Sequence, residues 1–206
     1  MRWIARAAVV AAGLGLIAAS SASTAWAQQP GRIRGQIEKA DGAMLTLKTR
    51  DGGTLNIKLA DDARVAGLNK ATLADIKEDT FVGIAGMPEA DGTIKAFSIH
   101  IFLPAQRGVV PDRHGPWDAK EGSTMTNAYV GTKVAAKDGE TLTVKYKEGE
   151  KKVVVGPDTV IQSVAPGNKD ELKPGAQIII MQSEKQADGS FLAKNVYVGH
   201  GLTPAM

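Results

Sequence analysis

The sequence predicts an all-β fold built as two tandem small barrels, each of five strands with a short helical turn between the third and fourth. Three observations predict it. Apolar and polar residues alternate strictly over short runs. Asp-Gly pairs punctuate those runs. The whole pattern then occurs a second time, 96 or 97 residues further along.

In the first copy, Leu45 and Leu47 alternate with Thr46 and Lys48, and Leu55, Ile57 and Leu59 alternate with Asn56 and Lys58. Alternation with a period of two places one face in a core and the other in water. A helix would need apolar spacings of three and four, which these runs lack. Strands are therefore expected near 33–39, 43–49, 53–59, 81–87 and 93–102. Asp-Gly supplies the positive φ of tight hairpins at Asp41-Gly42 and Asp91-Gly92. A turn of helix fits Ala71 to Lys77, with Thr72 as its N-cap. The second copy repeats the order near 128–136, 141–147, 151–156, 176–184 and 190–199, with its turn around Lys169 to Leu172. Three strands, a short helix and two more strands is the element order of an OB-type barrel.

The repeat is read from anchors in sequence order. Asp41-Gly42 matches Asp138-Gly139, and Asp91-Gly92 matches Asp188-Gly189, both at an offset of 97. Ala74-Asp75-Ile76-Lys77 matches Asp170-Glu171-Leu172-Lys173 at 96. The expected organisation is a leader over 1–27, a first module over 28–102, a linker over 103–126 and a second module over 127–206. The linker holds Pro104, Pro111 and Pro116 and shows no alternation.

Arg2 and Arg6, the apolar run Ala7 to Ala19 and the exit Ala25-Trp26-Ala27 form the pattern of a cleaved secretory signal. The run is too short to span a bilayer, which takes roughly 20 residues. A periplasmic protein with no membrane span is therefore expected. Of 25 Lys+Arg and 22 Asp+Glu, the leader holds Arg2 and Arg6 and no acid, leaving 23 basic against 22 acidic residues, net +1. Such a chain lacks the basic footprint of a nucleic-acid binder. There is no Cys, which excludes thiol catalysis and thiolate metal sites.

Arg32-Ile33-Arg34-Gly35, Leu73-Ala74-Asp75-Ile76-Lys77, His100-Ile101-Phe102, Pro116-Trp117-Asp118 and Gly122-Ser123-Thr124-Met125-Thr126-Asn127 carry a resemblance over nearly all of the chain after the leader. In these stretches the sequence resembles the exported repeat called domain of unknown function 5666. It resembles more closely a bacterial, mainly rhizobial, periplasmic group often labelled metal ABC transporter permease. The resemblance implies the fold and the compartment and no activity. The permease label conflicts with the sequence, because a permease needs several apolar helices and none follows Ala27.

Candidate sites are few. Asp112, His114, Asp118 and Glu121 crowd the linker, and His100 ends the strand leading into it. Imidazole and carboxylates suit zinc or manganese. His100, His114 and Asp118 are thus the metal candidates, against the alternative of solvated polar residues in a Pro/Gly-rich loop. Trp117 with Arg113 and Pro116 offers a platform for a sugar, or else pins the linker to a module. Tyr197 occupies the place in the second copy that His100 occupies in the first, giving a packing position or a shared shallow surface. Lys48, Lys58, Lys145, Lys147, Lys151 and Lys152 fall on the polar sides or ends of second and third strands, the OB binding face, with only Tyr146 among them as an aromatic. His200, in Gly199-His200-Gly201, reads as a frayed tail. No G-x-S-x-G, H-E-x-x-H or phosphate loop occurs. The expected function is non-catalytic: an envelope-associated or binding module with no resident cofactor, acting on an envelope ligand or protein. A metal-binding accessory protein and a glycan-binding module are the alternatives.

Overall fold

The computed structural model describes residues 32–136 and 139–205. The predicted leader and Asp138 of the second-copy hairpin lie outside the described residues. Within them the chain is all-β, with eleven strands and no α-helix: β1 (Ile33–Asp41), β2 (Met44–Thr49), β3 (Thr54–Lys70), β4 (Phe81–Pro88), β5 (Ile94–Ile101), β6 (Arg113–Pro116), β7 (Thr124–Ala136), β8 (Gly139–Tyr146), β9 (Gly149–Pro166), β10 (Gln177–Lys185) and β11 (Phe191–Gly199). Short 3-10 turns occupy Leu73–Asp75, Pro104–Gln106 and Lys169–Glu171.

Local chemistry explains the joints. Asp91 Oδ1 accepts from the Thr93 N–H (2.9 Å) and hydroxyl (2.7 Å), and Asp188 Oδ1 does the same with Ser190 (2.9 and 2.7 Å). Each carboxylate ties down a turn whose glycine, Gly92 or Gly189, sits at φ 84°, open to glycine at no steric cost. Asp75 Oδ2 accepts from the Thr72 N–H and Glu171 Oε1 from the Asn168 N–H, so both 3-10 turns open on a capping box. The next residues, Ile76 (1% exposed) and Leu172 (5%), plug the two main apolar cores. Burying a side chain of that size contributes about 1.5–3 kcal/mol, which is the physical reason for the repeated Ala-Asp-Ile-Lys and Asp-Glu-Leu-Lys.

Strand pairing closes a five-stranded barrel: β1–β2, β2–β3, β3–β11, β11–β10 and β10–β1. The β3–β11 contact is parallel and the others antiparallel. The further strands pair as β7–β8, β8–β9, β9–β5, β5–β4 and β4–β7, again with one parallel contact, β5–β9. Ile37, Leu45, Leu47, Ile57 and Ile178 fill the first circuit, and Ile84, Ile94, Ile99, Leu142 and Val153 the second.

The expected modules 28–102 and 127–206 do not each close on themselves. Among the described residues β3 pairs with β11 and not with β5, and β1 pairs with β10 and not with β4. The β4–β5 hairpin of the first copy joins the β7–β9 triplet of the second, and the β10–β11 hairpin of the second joins the β1–β3 triplet of the first. Both hairpins carry the same inward pattern, so alternation alone cannot say which triplet each will close.

Two strands outrun their predicted ends. β3 and β9 continue to Lys70 and Pro166 through irregular stretches, where the register with β11 and β5 shifts between Leu59 and Arg64 and between Val155 and Val160. The bulges break alternation and hide the continuation. Beyond them β3 and β9 pair antiparallel, with Leu68 opposite Val164. At the repeat offset of 96 these are the same position in the two copies, so a local twofold passes between them. Leu68, Val164 and Ile179 are buried there, with Phe102, Trp117 and Tyr197 packed against them. The linker is also more regular than its composition implies. β6 lies beside Thr124–Asn127 of β7, and β8 takes the same strand from Tyr129 onward.

Candidate functional site

The three metal candidates each have a partner of their own. His100 is completely buried on β5, and its Nε2 lies 3.0 Å from Gln162 Oε1 on β9. Burial pushes its pKa down to about 4, against a smaller upward pull from that hydrogen bond. His114 on β6 is half-buried. Its Nδ1 lies 2.8 Å from the Thr126 hydroxyl and its ring 6.0 Å from that of Tyr146. Burial, then the Lys151 charge, lower its pKa. Asp118 reaches back to β1, pairing with Arg34 Nη2 at 2.8 Å and Arg32 Nη1 at 3.3 Å. Burial raises the Asp118 pKa, but the hydrogen bonds and charges of Arg34 and Arg32 outweigh it and leave a net lowering. Among the described residues no group of three or more His, Asp or Glu side chains is placed to hold a metal ion.

The predicted ligand surface is likewise divided. The Arg32 guanidinium lies 3.7 Å from the centre of the Trp117 ring, so that face is covered by a cation. Trp117 and Asp118 together fasten the linker to the start of β1. Arg113 is exposed on β6, and Tyr146 packs at the edge of the second core. Tyr197 is on the opposite side of the molecule's twofold from His100; its hydroxyl accepts from Gln106 Nε2 at 3.3 Å, and burial raises its pKa.

The end of the chain holds what the sequence reading missed. His200 is anchored rather than frayed. Its N–H donates to Leu68 O at 2.9 Å. Its Nδ1 lies 2.8 Å from Asn69 Oδ1 and its Nε2 2.8 Å from Glu171 Oε2. The ring lies close against Gly67, where any Cβ would collide with it. Glu171 serves two masters: Oε1 caps its own turn through the Asn168 N–H at 3.0 Å, and Oε2 holds the imidazole. The His200 hydrogen bond is the main reason the Glu171 pKa is lowered, ahead of the opposing desolvation. Beyond His200, Gln162 Nε2 donates to Thr203 O (3.0 Å), the Ala205 N–H donates to Gln162 Oε1 (3.2 Å) and Arg50 Nη2 donates to Pro204 O (2.6 Å).

His200 and Glu171 stand in the wall of a cleft of about 690 Å³, with Gln36, Asp170 and Lys173 also facing it. Its lining comes from both copies, Gln36 from β1 and Glu171 and His200 from the second copy, and Asn69 of β3 holds the His200 ring. At the repeat offset of 97 the first copy has Leu103 in place of His200, so the site exists once. The ionised carboxylate accepts, so Nε2 carries a proton. The Asn69 side-chain amide faces Nδ1. Both ring nitrogens have protein partners, and the arrangement presents a polar wall to the cleft. Comparison with protein-family models, with curated proteins and with solved structures finds no match to this chain.

Proposed function

We propose that this is an exported, non-catalytic binding protein that takes a small, polyhydroxylated ligand of the glycan class in the His200 cleft. The observation that carries the reading is the clamping of His200 on both ring nitrogens in the wall of a cleft of about 690 Å³. A pre-formed cleft with a few fixed polar groups is the usual form of a small-ligand site. Carboxylates at Asp170 and Glu171, the amide of Gln36 and the ammonium of Lys173 supply acceptors and donors for hydroxyl groups. The export half of the proposal rests on the leader pattern over 1–27.

Thermal unfolding of the purified protein against a panel of mono- and oligosaccharides tests it. A ligand at 100 times its Kd stabilises by about 2.7 kcal/mol, enough for a visible rise in Tm. That rise should vanish in His200→Ala. No rise with any sugar, or a rise of the same size in the variant, removes the proposal.

A further inference from the structure

We propose that the cavity beneath the β9 bulge, at residues 156–159, is an open receptor for a primary alkylammonium group. The argument comes from comparing the two copies at one place. In the first copy the β3 bulge spans Ala60 to Ala63, between Leu59 and Arg64, which are in register with Ala193 and Asn195 of β11. The first residue of the second-copy 3-10 turn, Lys169, lies over it. Its Nζ donates to Asp61 O at 2.9 Å and approaches Ala60 O at 3.5 Å. An ammonium with a four-carbon stem thus fills this site from within the chain.

The second copy has the same bulge at the same register, between Val155 and Val160, opposite Ala96 and Ser98 of β5. At the offset of 96, Gly156 and Pro157 stand for Ala60 and Asp61, and Leu73 stands for Lys169. The matching 3-10 turn again sits above the bulge. Leu73 has no ammonium and a shorter reach, and among the described residues no hydrogen bond to the Gly156 or Pro157 carbonyl is present. What Lys169 reaches in one copy is in the other a cavity of about 470 Å³, walled mainly by Ala71, Leu73, Val155 and Pro157, with Gly139, Gly156 and the polar Thr72 and Thr159 also lining it.

The chemistry of the walls selects the ligand. Apolar side chains suit an alkyl stem, and backbone carbonyls at the bulge suit an N–H donor of positive charge. Asp158, the counterpart of Asp62, lies beside them in sequence. Lys133, on β7, is engaged elsewhere: its Nζ donates to Leu73 O at 2.9 Å and pairs with Glu140 at 3.2 Å, at the turn and not at the bulge. The ligand class is therefore an alkylammonium, either a small aliphatic amine or the end of a lysine side chain.

The experiment is an amide-shift titration of the isotope-labelled protein with n-butylammonium chloride and in parallel with n-butanol. A probe this small binds at about millimolar Kd. The ammonium should move the Leu73, Val155 and Gly156 amides, and butanol should not. Leu73→Lys, which supplies an internal ammonium as Lys169 does, should abolish those shifts. Lys169→Ala should add a second set at Ala60 and Asp61 and raise the stoichiometry from one to two. Equal shifts with butanol, shifts that persist in Leu73→Lys, or no second set in Lys169→Ala each overturn the proposal. Lys169→Ala keeps the test decisive if Leu73→Lys does not fold. Repeating the titration with N-acetyl-lysine amide separates the two sources: binding at least as tight as butylammonium assigns the site to lysine side chains, and binding only of the free amine assigns it to small amines.

Discussion

His100 shows how one buried side chain ties pH to stability. Its Nε2 faces Gln162 Oε1, its Nδ1 has no partner, and Gln162 in turn holds the C-terminal segment through Thr203 and Ala205. A second proton would have to sit on Nδ1, where nothing accepts it. Burial accordingly drops the folded pKa to about 4, below the ordinary 6.5. The sign follows: below 6.5 the unfolded chain takes up a proton that the folded chain refuses. Stability is present in full above pH 6.5 and is lost as pH falls from there towards 4. At 1.36 kcal/mol per pKa unit the loss approaches about 3 kcal/mol. The lowered carboxylates Glu171 and Asp118 give up their contribution only under more acid conditions, and they are common to any His100 variant. Urea unfolding at pH 7 and pH 4.5 should show the parent losing about 2–3 kcal/mol more than His100→Gln. Equal losses in the two proteins would show that the ring titrates normally. Tyr197, at the matching place on β11, carries no such liability, because its hydroxyl has Gln106 as partner and its ring needs no charge.

At the scale of elements, the decisive fact is the exchange of hairpins between copies. It is testable by cross-linking, since the chain has no native Cys. Lys95 is the register partner of Val154 on β9. Within a self-contained first module it would instead sit where Leu192 sits, opposite Lys58. The pair Lys95→Cys with Val154→Cys should therefore oxidise to a disulfide in the folded protein, and Lys95→Cys with Lys58→Cys should not. The reverse result would return each hairpin to its own triplet. Much of each element was legible beforehand. Alternation located β1, β2, β8, β10 and β11 to within a residue or two, and Thr72 marked its turn. Pairing was not legible, because the β4–β5 and β10–β11 hairpins present the same face to any triplet. Neither was the cleft. His200, Glu171 and Asn69 are scattered over two copies, and Gly-His-Gly looks like a loose end until the close approach of its ring to Gly67 is seen. Proximity in sequence misled in the linker, where Asp118 turns away from His114 to the β1 arginines. The one cue available was asymmetry: Leu103 against His200, and Leu73 against Lys169.

For the whole molecule, the exchange makes the two halves one cooperative unit. Five strand pairings join residues before the linker to residues after it: β1–β10, β3–β11, β3–β9, β4–β7 and β5–β9. Pulling the halves apart opens both circuits and uncovers Ile178, Ile180, Ile84 and Ile99, each at most 1% exposed. At about 1.5–3 kcal/mol for each such side chain, those four alone approach the whole stability of an ordinary domain, roughly 5–15 kcal/mol. The connection between the halves is, by contrast, open to solvent at Val109, which is 69% exposed. A protease site placed between Gly108 and Val109 should therefore be cut without release of either piece. The nicked protein should elute at the size of the intact chain and unfold in a single transition. Its midpoint should now rise with protein concentration, because unfolding has become dissociation. Two folded fragments that separate on a sizing column, or two transitions at distinct midpoints, would mean that each copy stands alone.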